Sequence, residues 1–283
     1  MTDLPRLSAG QQAVVRTWLP EYELIADLSW ELMGTAVLHV RTPEGDRIIK
    51  AGATTNHHIG REIDAHLEFT TPWLAEDRAA SMLRYDRNAT ILLLEYLPGE
   101  LVQGSPAEDA PEVYRQAGHM LAEFHAQGAR PDHTYEARMN QKQLDWLERP
   151  HRISPETVVT LRQLLLEASP EPVILVPTHG DWQPRNWVID DGMVRAIDFG
   201  RFDWRPAFTD FARLAVRQFD ADPVLEAAFL DGYGPDPRTP ELWRILQIRE
   251  AIGTAVWAYQ VGDEQFEQEG HRMIANVLSE EVR

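Results

Sequence analysis

The sequence contains no cysteine among its 283 residues. Without thiols, the chain can form neither a disulfide framework nor a thiolate metal site. Long apolar runs are missing as well. The most apolar short segment, residues 91–97, is interrupted by Glu95 and is too short to span a bilayer. The N-terminus also lacks the apolar core of a secretory signal. We therefore expect a cytoplasmic protein that does not enter a membrane.

Positive charge is scarce. The chain has 27 Lys and Arg residues against 45 Asp and Glu residues, for a formal net charge of -18. Such a chain is repelled by nucleic-acid phosphates and by anionic membrane surfaces, so we expect neither as a partner, and nothing implies a protein partner. It attracts cations, either metal ions or polycationic small molecules. The alternative is that the acidity serves only solubility.

The predicted elements change in type along the chain. The first third is rich in strands, predicted at residues 22–29, 35–41, 47–51, 81–85 and 90–95, with helices at 8–19 and 57–69. After Pro98-Gly99, helices are predicted at 111–127, 138–147, 155–168 and, with breaks, from 206 onward, and short strands at 173–177, 187–189 and 194–197. This order indicates an α+β protein with a β-rich part over 1–97 and a mostly helical part over 98–283.

The strongest motif lies in residues 178–186, which read THGDWQPRN, followed by AIDFG at 196–200. Phosphoryl transfer requires an oriented acceptor hydroxyl and cations on the phosphate oxygens. A carboxylate such as Asp181 can accept the hydroxyl proton, and the oxygens of Asn186 and Asp198 suit Mg²⁺. A loop followed by a β-hairpin would bring these side chains together. The alternative is that they are ordinary polar residues of turns.

These residues resemble a known family. The pattern His179-x-Asp181-x4-Asn186, with Asp198 before Phe-Gly, is similar to the catalytic loop and metal motif of the aminoglycoside phosphotransferases. Their superfamily includes choline kinases, homoserine kinases and protein kinases. The resemblance extends from about Glu21 to the end of the chain. It implies a bilobal protein-kinase-like fold, with a small β-rich N-terminal lobe that binds nucleotide and a larger, mostly helical C-terminal lobe.

The resemblance also implies roles for the motif residues. Asp181 is the expected catalytic base, while Asn186 and Asp198 are the expected Mg²⁺ ligands. His179 and Asp210 are expected to support the loop rather than take part in the chemistry. Two positions depart from the family pattern. Gln183 and Arg185 stand where many members carry His and Gly, which puts the loop conformation in doubt and suggests that Arg185 faces substrate or phosphate.

A candidate nucleotide-binding pair lies further upstream. Lys50 is one of only two lysines, the other being Lys142, and it follows a β-rich run. A compact ammonium can bridge two phosphate oxygens without the bulk of a guanidinium. The resemblance implies that this lysine pairs with a glutamate on the next helix, and Glu62 fits that position. The alternative is a surface lysine and a solvated glutamate.

The rest of the predicted nucleotide site rests on the resemblance. The loop over the phosphates falls at residues 32–36, where Thr35 offers a hydroxyl. An adenine edge needs one acceptor and one donor, and the resemblance assigns these to the carbonyl of Glu95 and the amide of Leu97. The expected cofactors are ATP and Mg²⁺, and GTP is not excluded as the donor.

Acceptor-binding candidates lie after the metal motif and in the C-terminal helices. They are polar or aromatic residues that follow the motif or occupy the acidic C-terminal segment, where acidity also fits a solvated helix face: Asp203, Trp204, Glu250, Trp257, Asp263, Glu264 and Glu267. We assign three histidines to structure instead. His125 is expected to form a core hydrogen bond, and His57 and His58 to lie on the surface at a helix start.

The sequence thus predicts a kinase of a small, hydroxylated and polycationic molecule. Inactivation of an antibiotic, either an aminoglycoside or a basic peptide such as viomycin or capreomycin, is the leading hypothesis. A metabolic kinase acting on choline, homoserine or a sugar is the main alternative within the same class. A catalytically silent nucleotide-binding protein is the alternative outside it.

Overall fold

The computed structural model describes residues 4–30, 34–168 and 172–279. In chain order its strands are β1 Glu23–Asp27, β2 Thr35–Thr42, β3 Gly45–Gly52, β4 Met82–Asp86, β5 Ile91–Glu95, β6 Glu100–Leu101, β7 Arg130–Asp132, β8 Val173–Thr178, β9 Trp187–Asp190, β10 Met193–Ala196 and β11 Asp203–Arg205. Its α-helices are α1 Ala9–Trp18, α2 His57–Glu68, α3 Thr71–Ala75, α4 Pro111–His125, α5 Tyr135–Trp146, α6 Pro155–Glu167, α7 Ala212–Leu214, α8 Pro223–Tyr233, α9 Pro240–Val261 and α10 Glu264–Ser279. Short 3-10 helices span Pro106–Asp109, Pro184–Asn186 and Ala207–Phe211.

The described residues form two compact units. The first contains the described parts of 1–128 together with 177–204 and 213–235, and the second contains those of 129–176 together with 205–212 and 236–279. The β-rich segment and the motif of residues 178–200 therefore share one unit. The predicted division into lobes at residue 97 stays a prediction.

A five-stranded antiparallel sheet dominates the first unit, in the order β1-β2-β3-β5-β4. Successive side chains of a strand point to opposite faces, so each strand supplies two cores. Leu38, Ile49 and Leu93 belong to a buried cluster that includes Val15 of α1. Leu92, by contrast, packs with residues of α2. The two helices therefore cover opposite faces of the sheet.

The first helix is attached to the sheet by a buried glutamine. Ser8 and Gln11 form a capping box at the start of α1, which satisfies main-chain N–H groups that the helix itself leaves unpaired. The side-chain amide of Gln11 also donates to the carbonyl oxygens of Gly52 at 2.8 Å and Ala89 at 2.9 Å. These bonds join α1 to the end of β3 and to the turn before β5.

Glycine allows a close approach of two helices in the first unit. A Cβ atom on Gly118 of α4 would lie 2.1 Å from the carbonyl oxygen of Phe229 in α8, and one on Gly232 would lie 1.9 Å from that of Arg115. Any larger residue would push α4 and α8 apart. Beside them, β9 and β10 form a hairpin, and β6 pairs with β9.

The second unit is built on α5, α6, α9 and α10. Its core contains buried aliphatic residues of α6, α9 and α10, including Leu161, Ile248 and Ile274, and Leu147 directly after α5. A buried polar cluster lies beside this core, in which Arg249 donates to the side chains of Glu136 at 2.5 Å and Asn140 at 2.6 Å. Strand β7 pairs with the first half of β8.

Most predicted elements are confirmed within one to three residues of their predicted ends. A tight turn at residues 43–44 joins β2 to β3, since Thr42 pairs with Gly45. The sequence patterns missed the short elements β6, β7, β11 and α3, which have only two to five residues each. Among the described residues, no helix has both the length and the apolarity needed to cross a membrane.

Candidate functional site

The segment after β8 forms a loop on an aromatic base. Trp182 is fully buried and its ring stacks 5.6 Å from that of Trp73. Gly180 adopts a left-handed φ of 79°, which favours glycine because other residues meet a steric penalty there. His179 Nε2 lies 3.1 Å from the carbonyl oxygen of Ile197. This contact joins the loop to the AIDFG segment, residues 196–200, hereafter the second motif.

Asp181 lies at the centre of this loop with its carboxylate held from both sides. Its Oδ1 accepts a hydrogen bond from Gln183 Nε2 at 2.5 Å. Its Oδ2 accepts from Arg185 Nη2 at 2.5 Å and from Asn186 Nδ2 at 3.0 Å. The two positions that depart from the family pattern, Gln183 and Arg185, are therefore both direct partners of Asp181.

Three arginines surround the buried Asp181 carboxylate. Burial by itself would raise its pKa, but the charges of Arg201, Arg185 and Arg213 outweigh burial and lower the pKa well below its ordinary value. Arg213 Nε lies 3.7 Å from Oδ1. Asp181 is therefore a stable anion in this arrangement, and it sits in a local excess of positive charge within a strongly acidic chain.

Asn186 and Asp198 are the two residues predicted to bind Mg²⁺, and this role stays a prediction. Asn186 Nδ2 donates to both the carbonyl oxygen and Oδ2 of Asp181, which leaves the amide oxygen of Asn186 as the atom that can bind a cation. Asp198 adopts a left-handed φ of 65°, a conformation that is strained for a non-glycine residue. Its side chain is 53% exposed, so the carboxylate is accessible from solvent.

Lys50 joins the sheet to both α2 and the second motif. Its Nζ lies 2.7 Å from Glu62 Oε1 and 3.2 Å from Asp198 Oδ1. Burial disfavours the charged ammonium, but Asp198 and Glu62 outweigh it and raise the pKa of Lys50 above its ordinary value. The Lys50 charge in turn lowers the pKa of Asp198. Burial raises the pKa of Glu62, against the opposing effect of Lys50.

Helix α2 contacts the second motif directly. His58 Nδ1 lies 2.8 Å from the carbonyl oxygen of Gly200, and the His66 ring lies edge-on to Phe199 at 5.0 Å. The expectation that His58 is a surface residue at the helix start is therefore incomplete, since it also holds the second motif. His125 forms the expected internal contact, with its Nδ1 2.9 Å from the hydroxyl of Tyr233.

The remaining nucleotide candidates lie at the start of β2, at the end of β5 and just beyond β5. The hydroxyl of Thr35 accepts a hydrogen bond from Asn56 Nδ2 at 2.8 Å, which ties the start of β2 to the N-terminus of α2. Leu32 and Met33 of the same predicted loop lie outside the described residues. Glu95 is the last residue of β5, and Leu97 packs against the cluster that contains Ile59. The nucleotide roles of Thr35, Glu95 and Leu97 stay predictions.

A cleft of about 480 Å³ lies beside Glu95 and Leu97. Its wall also includes Asp46, Asp77 and Arg195, but none of the residues that surround Asp181 and Lys50. This cleft therefore does not coincide with the chemical groups of the catalytic loop, whose arrangement is the stronger guide to function.

Two acceptor candidates lie in the first unit. Asp203 pairs with Arg61 Nη2 at 3.1 Å, and its carboxylate also accepts a bond from the Trp204 amide. The ring of Trp204 packs edge-on against Phe69 at 5.8 Å and covers Gly128. Both side chains are half-buried and have partners within the fold, so their part in acceptor binding stays a prediction.

The other acceptor candidates lie in the second unit. Glu267 is buried and pairs with Arg152 Nη1 at 3.1 Å, so its carboxylate already has a structural partner. Asp263 accepts a bond from the Phe266 amide at 3.0 Å, and Trp257 packs edge-on against the Phe266 ring. Glu250 is half-buried in α9, and Glu264 is exposed at the start of α10.

Asp210, the residue predicted to support the loop, is buried in the 3-10 helix Ala207–Phe211.

Sequence reasoning missed two of the arginines near Asp181. Arg201 directly follows the second motif, and this position could have drawn attention to it. Arg213 lies 32 residues after Asp181 and has no pattern that marks it. The stacking of Arg185 over Trp30, at 5.0 Å from the ring centroid, was also unforeseen because 155 positions separate the two residues in the chain.

Solved structures of the same fold cover nearly the whole chain. A thermostable mutant of aminoglycoside phosphotransferase APH(4)-Ia, in a ternary complex with ADP and hygromycin B, is 11% identical, covers 94% of this chain and 97% of its own, and has a TM-score of 0.72. Choline kinase LicA from Streptococcus pneumoniae is 16% identical over 96% and 100%, with a TM-score of 0.65. Macrolide 2'-phosphotransferase MphH from Brachybacterium faecium is 15% identical over 95% and 98%, with a TM-score of 0.62.

At these identities the structures establish the fold, and the predicted kinase-like α+β class is confirmed. Among curated protein sequences, none matches this chain significantly. A family model gives the more specific result, because it matches residues 62–243, a segment that runs from Glu62 through the whole of residues 178–200. The resemblance predicted from residues 178–200 is thereby confirmed, and the chain belongs to the phosphotransferase enzyme family.

Proposed function

We propose that this phosphotransferase moves the γ-phosphate of ATP to a hydroxyl group of a small molecule, with Mg²⁺ bound to the phosphates. The observation that carries the proposal is the joint placement of Lys50 on Glu62 and Asp198, with Asp181 and Asn186 on the adjoining loop. The ammonium of Lys50 and the oxygen atoms of Asp198 and Asn186 thus lie near the buried carboxylate of Asp181. GTP remains an alternative donor.

The reaction assigns one task to each of these side chains. Asp181 orients the acceptor hydroxyl and takes its proton as the oxygen bonds to the γ-phosphorus. The bond from that phosphorus to the bridging oxygen breaks, and its electron pair leaves with ADP. Lys50 holds the donor's phosphate oxygens, and Glu62 keeps the ammonium in place. Positioning and charge, rather than covalent chemistry, supply the acceleration in reactions of this type.

The ligand atoms suit Mg²⁺, which binds oxygen and usually takes one or two carboxylates together with phosphate oxygens and water. Asp198 offers an open carboxylate, and Asn186 offers an amide oxygen in a fixed orientation. Over residues 4–30, 34–168 and 172–279, no three His, Cys, Asp or Glu side chains group closely enough to hold a metal by themselves. The ion therefore fits as Mg²⁺ that arrives with the nucleotide and neutralises phosphate charge.

A polycationic antibiotic is our leading acceptor. The net charge of -18 supports it, because the long-range field attracts a cation and opposes an anion. The structural likeness to an aminoglycoside phosphotransferase bound to hygromycin B agrees with an acceptor of this kind. The acidic residues predicted from the sequence to bind its amino groups stay candidates, and two of them, Asp203 and Glu267, are already paired with Arg61 and Arg152.

A metabolic small-molecule kinase is the second candidate, and one observation favours it. Arg185, Arg201 and Arg213 surround the place where the reacting hydroxyl must lie. They would repel an ammonium group next to that hydroxyl, so within the metabolic class they favour a neutral acceptor such as a sugar over choline or homoserine. The likeness to choline kinase LicA shows that this fold also serves acceptors other than antibiotics. A catalytically silent protein is disfavoured because Asp181, Lys50 and Asp198 are all present.

A coupled ADP-release screen tests the function and the acceptor together. The panel should contain aminoglycosides, viomycin, capreomycin, choline, homoserine and simple sugars, each with and without Mg²⁺. Turnover of a polycationic compound, with kcat/KM falling as salt shortens the Debye length to ~8 Å, supports the leading acceptor. Turnover of neutral alcohols alone supports the metabolic candidate. No ATP binding and no turnover with any donor would contradict the proposal.

A further inference from the structure

Arg185 connects the catalytic loop to the segment that precedes β2. It lies in the 3-10 helix Pro184–Asn186, and its Nη2 donates to Asp181 Oδ2 at 2.5 Å. The same guanidinium stacks over the ring of Trp30, which is 60% exposed. The Arg185 side chain is 23% exposed. One flexible cation therefore lies between the buried base and the solvent.

In this arrangement Arg185 occupies part of the base. An acceptor hydroxyl must donate to an Asp181 oxygen. Oδ1 accepts one hydrogen bond, from Gln183, whereas Oδ2 already accepts two, from Arg185 and Asn186, and can take the hydroxyl only if one of these donors leaves. Gln183 and Asn186 are short, neutral and almost fully buried, so they cannot move away without disturbing the loop. Arg185 has a long side chain and the greatest exposure of the three donors. It is the partner that can be exchanged for an acceptor.

A displaced Arg185 needs another anion, because an unpaired guanidinium in a partly buried site is unfavourable. The γ-phosphate of the donor carries more charge than a carboxylate and presents several oxygens to the planar fork of an arginine. Asp181 does not lose all its support when Arg185 leaves. Gln183 and Asn186 still hold it, and Arg213 remains 3.7 Å away.

We propose that Arg185 is a further catalytic residue, which exchanges Asp181 for the γ-phosphate of the nucleotide when the donor binds. The exchange opens Asp181 Oδ2 to the hydroxyl and places positive charge on the transferred group. Arg185 neither gains nor loses a proton in this step. The hydroxyl proton goes to Asp181, and the leaving electron pair goes to ADP. This inference rests on the proposed phosphotransfer from a nucleotide.

The test compares a nucleotide that has a third phosphate with one that lacks it. Binding of AMP-PNP and of ADP, each with Mg²⁺, is measured by calorimetry for wild type, Arg185→Gln and Arg185→Lys. We expect Arg185→Gln to weaken AMP-PNP binding by about tenfold, as for the loss of a charged hydrogen bond, and ADP binding by less than about twofold. Arg185→Lys keeps the charge and should lie between wild type and Arg185→Gln.

Arg115→Gln is the matched control, because Arg115 is an exposed arginine of α4 that pairs with Glu112 and Asp231. It should leave both affinities unchanged. Thermal unfolding of each variant shows whether it is folded, and Arg185→Lys provides the comparison if Arg185→Gln is not.

Equal weakening of AMP-PNP and ADP, or unchanged affinity for both, would overturn the role of Arg185. A rise in the acceptor KM alone would overturn it too, because Arg185 would then bind the acceptor. These results differ from failure of the proposed function itself. In that case wild-type protein would bind neither nucleotide and release no ADP.

Discussion

The ammonium of Lys50 lies 3.2 Å from Oδ1 of Asp198, although 148 positions separate the two residues in the chain. One belongs to β3 and the other to the turn that follows the β9–β10 hairpin. Lys50 also pairs with Glu62 of α2, so three distant segments meet at one ammonium. Because the site depends on this meeting point and on Asp181, substitutions at these residues should have separable effects.

Replacing Asp181 by Asn should remove most turnover and leave nucleotide affinity largely intact. In the proposed reaction the carboxylate acts on the acceptor hydroxyl, whereas Lys50 and the predicted metal ligands hold the nucleotide. Loss of a general base typically lowers the rate by ~10²-fold or more. Steady-state ADP release and calorimetric nucleotide binding measure the two effects. Asp145→Asn, on the exposed face of α5, is the control. A variant that keeps more than half of the wild-type kcat would rule out Asp181 as the base.

Replacing Asp198 by Ala should abolish the Mg²⁺ dependence of nucleotide binding, and Asn186→Ala should reduce it. The carboxylate supplies a full charge to the ion, whereas the amide supplies only a dipole. Mg²⁺ titrations at fixed ATP measure the difference. Asn186→Ala also removes two hydrogen bonds to Asp181, so its kcat should fall more than its Mg²⁺ affinity. An unchanged Mg²⁺ requirement in Asp198→Ala would mean that the metal binds elsewhere.

Replacing Lys50 by Arg should raise the KM for ATP or lower kcat by about tenfold, despite the conserved charge. The Lys50 side chain is almost fully buried between two carboxylates at 2.7 and 3.2 Å, where the larger planar guanidinium has no equivalent geometry. The chain contains a matched control, since Lys142 is its only other lysine and is exposed on α5. Lys142→Arg should behave as wild type. Equal kinetics for the two variants would show that Lys50 does not hold the nucleotide and has only a structural role.

His66 should make stability depend on pH. It is 8% exposed, and among the described residues neither ring nitrogen has a hydrogen-bond partner. Burial, with a smaller effect of the Lys50 charge, lowers its pKa from 6.5 to about 3. Between pH 6.5 and pH 3, His66 therefore binds a proton in the unfolded chain but stays neutral in the folded chain. Stability should fall from pH 6.5 toward pH 3 by up to about 1.4 kcal/mol per pH unit.

The prediction is tested by urea unfolding at pH 7.5 and pH 5. Wild type should lose about 2 kcal/mol more free energy of unfolding between these values than His66→Phe, because the phenyl ring takes up no proton. His133→Phe, at an exposed position, should retain the wild-type pH dependence. The same loss in wild type and His66→Phe would show that His66 is not the group responsible.

Local sequence patterns were enough to predict most of the fold. Short apolar runs indicated β2, β3 and β5 as strands, and the first helix, predicted over 8–19, spans Ala9–Trp18. The patterns failed for β6 and β7. Strands of two or three residues have no room for an alternating pattern, and they form only because a partner strand supplies hydrogen bonds.

The motif of residues 178–200 could be recognised in the sequence because its polar residues are close along the chain and the proposed reaction requires them at fixed spacing. Asp181, Asn186 and Asp198 could therefore be named together, and Lys50 stood out by its rarity. The convergence of Arg185, Arg201 and Arg213 on one carboxylate could not be read in this way. Their spacing follows no local period, and only the packing of the loop against the segments around it decides which charges meet at Asp181.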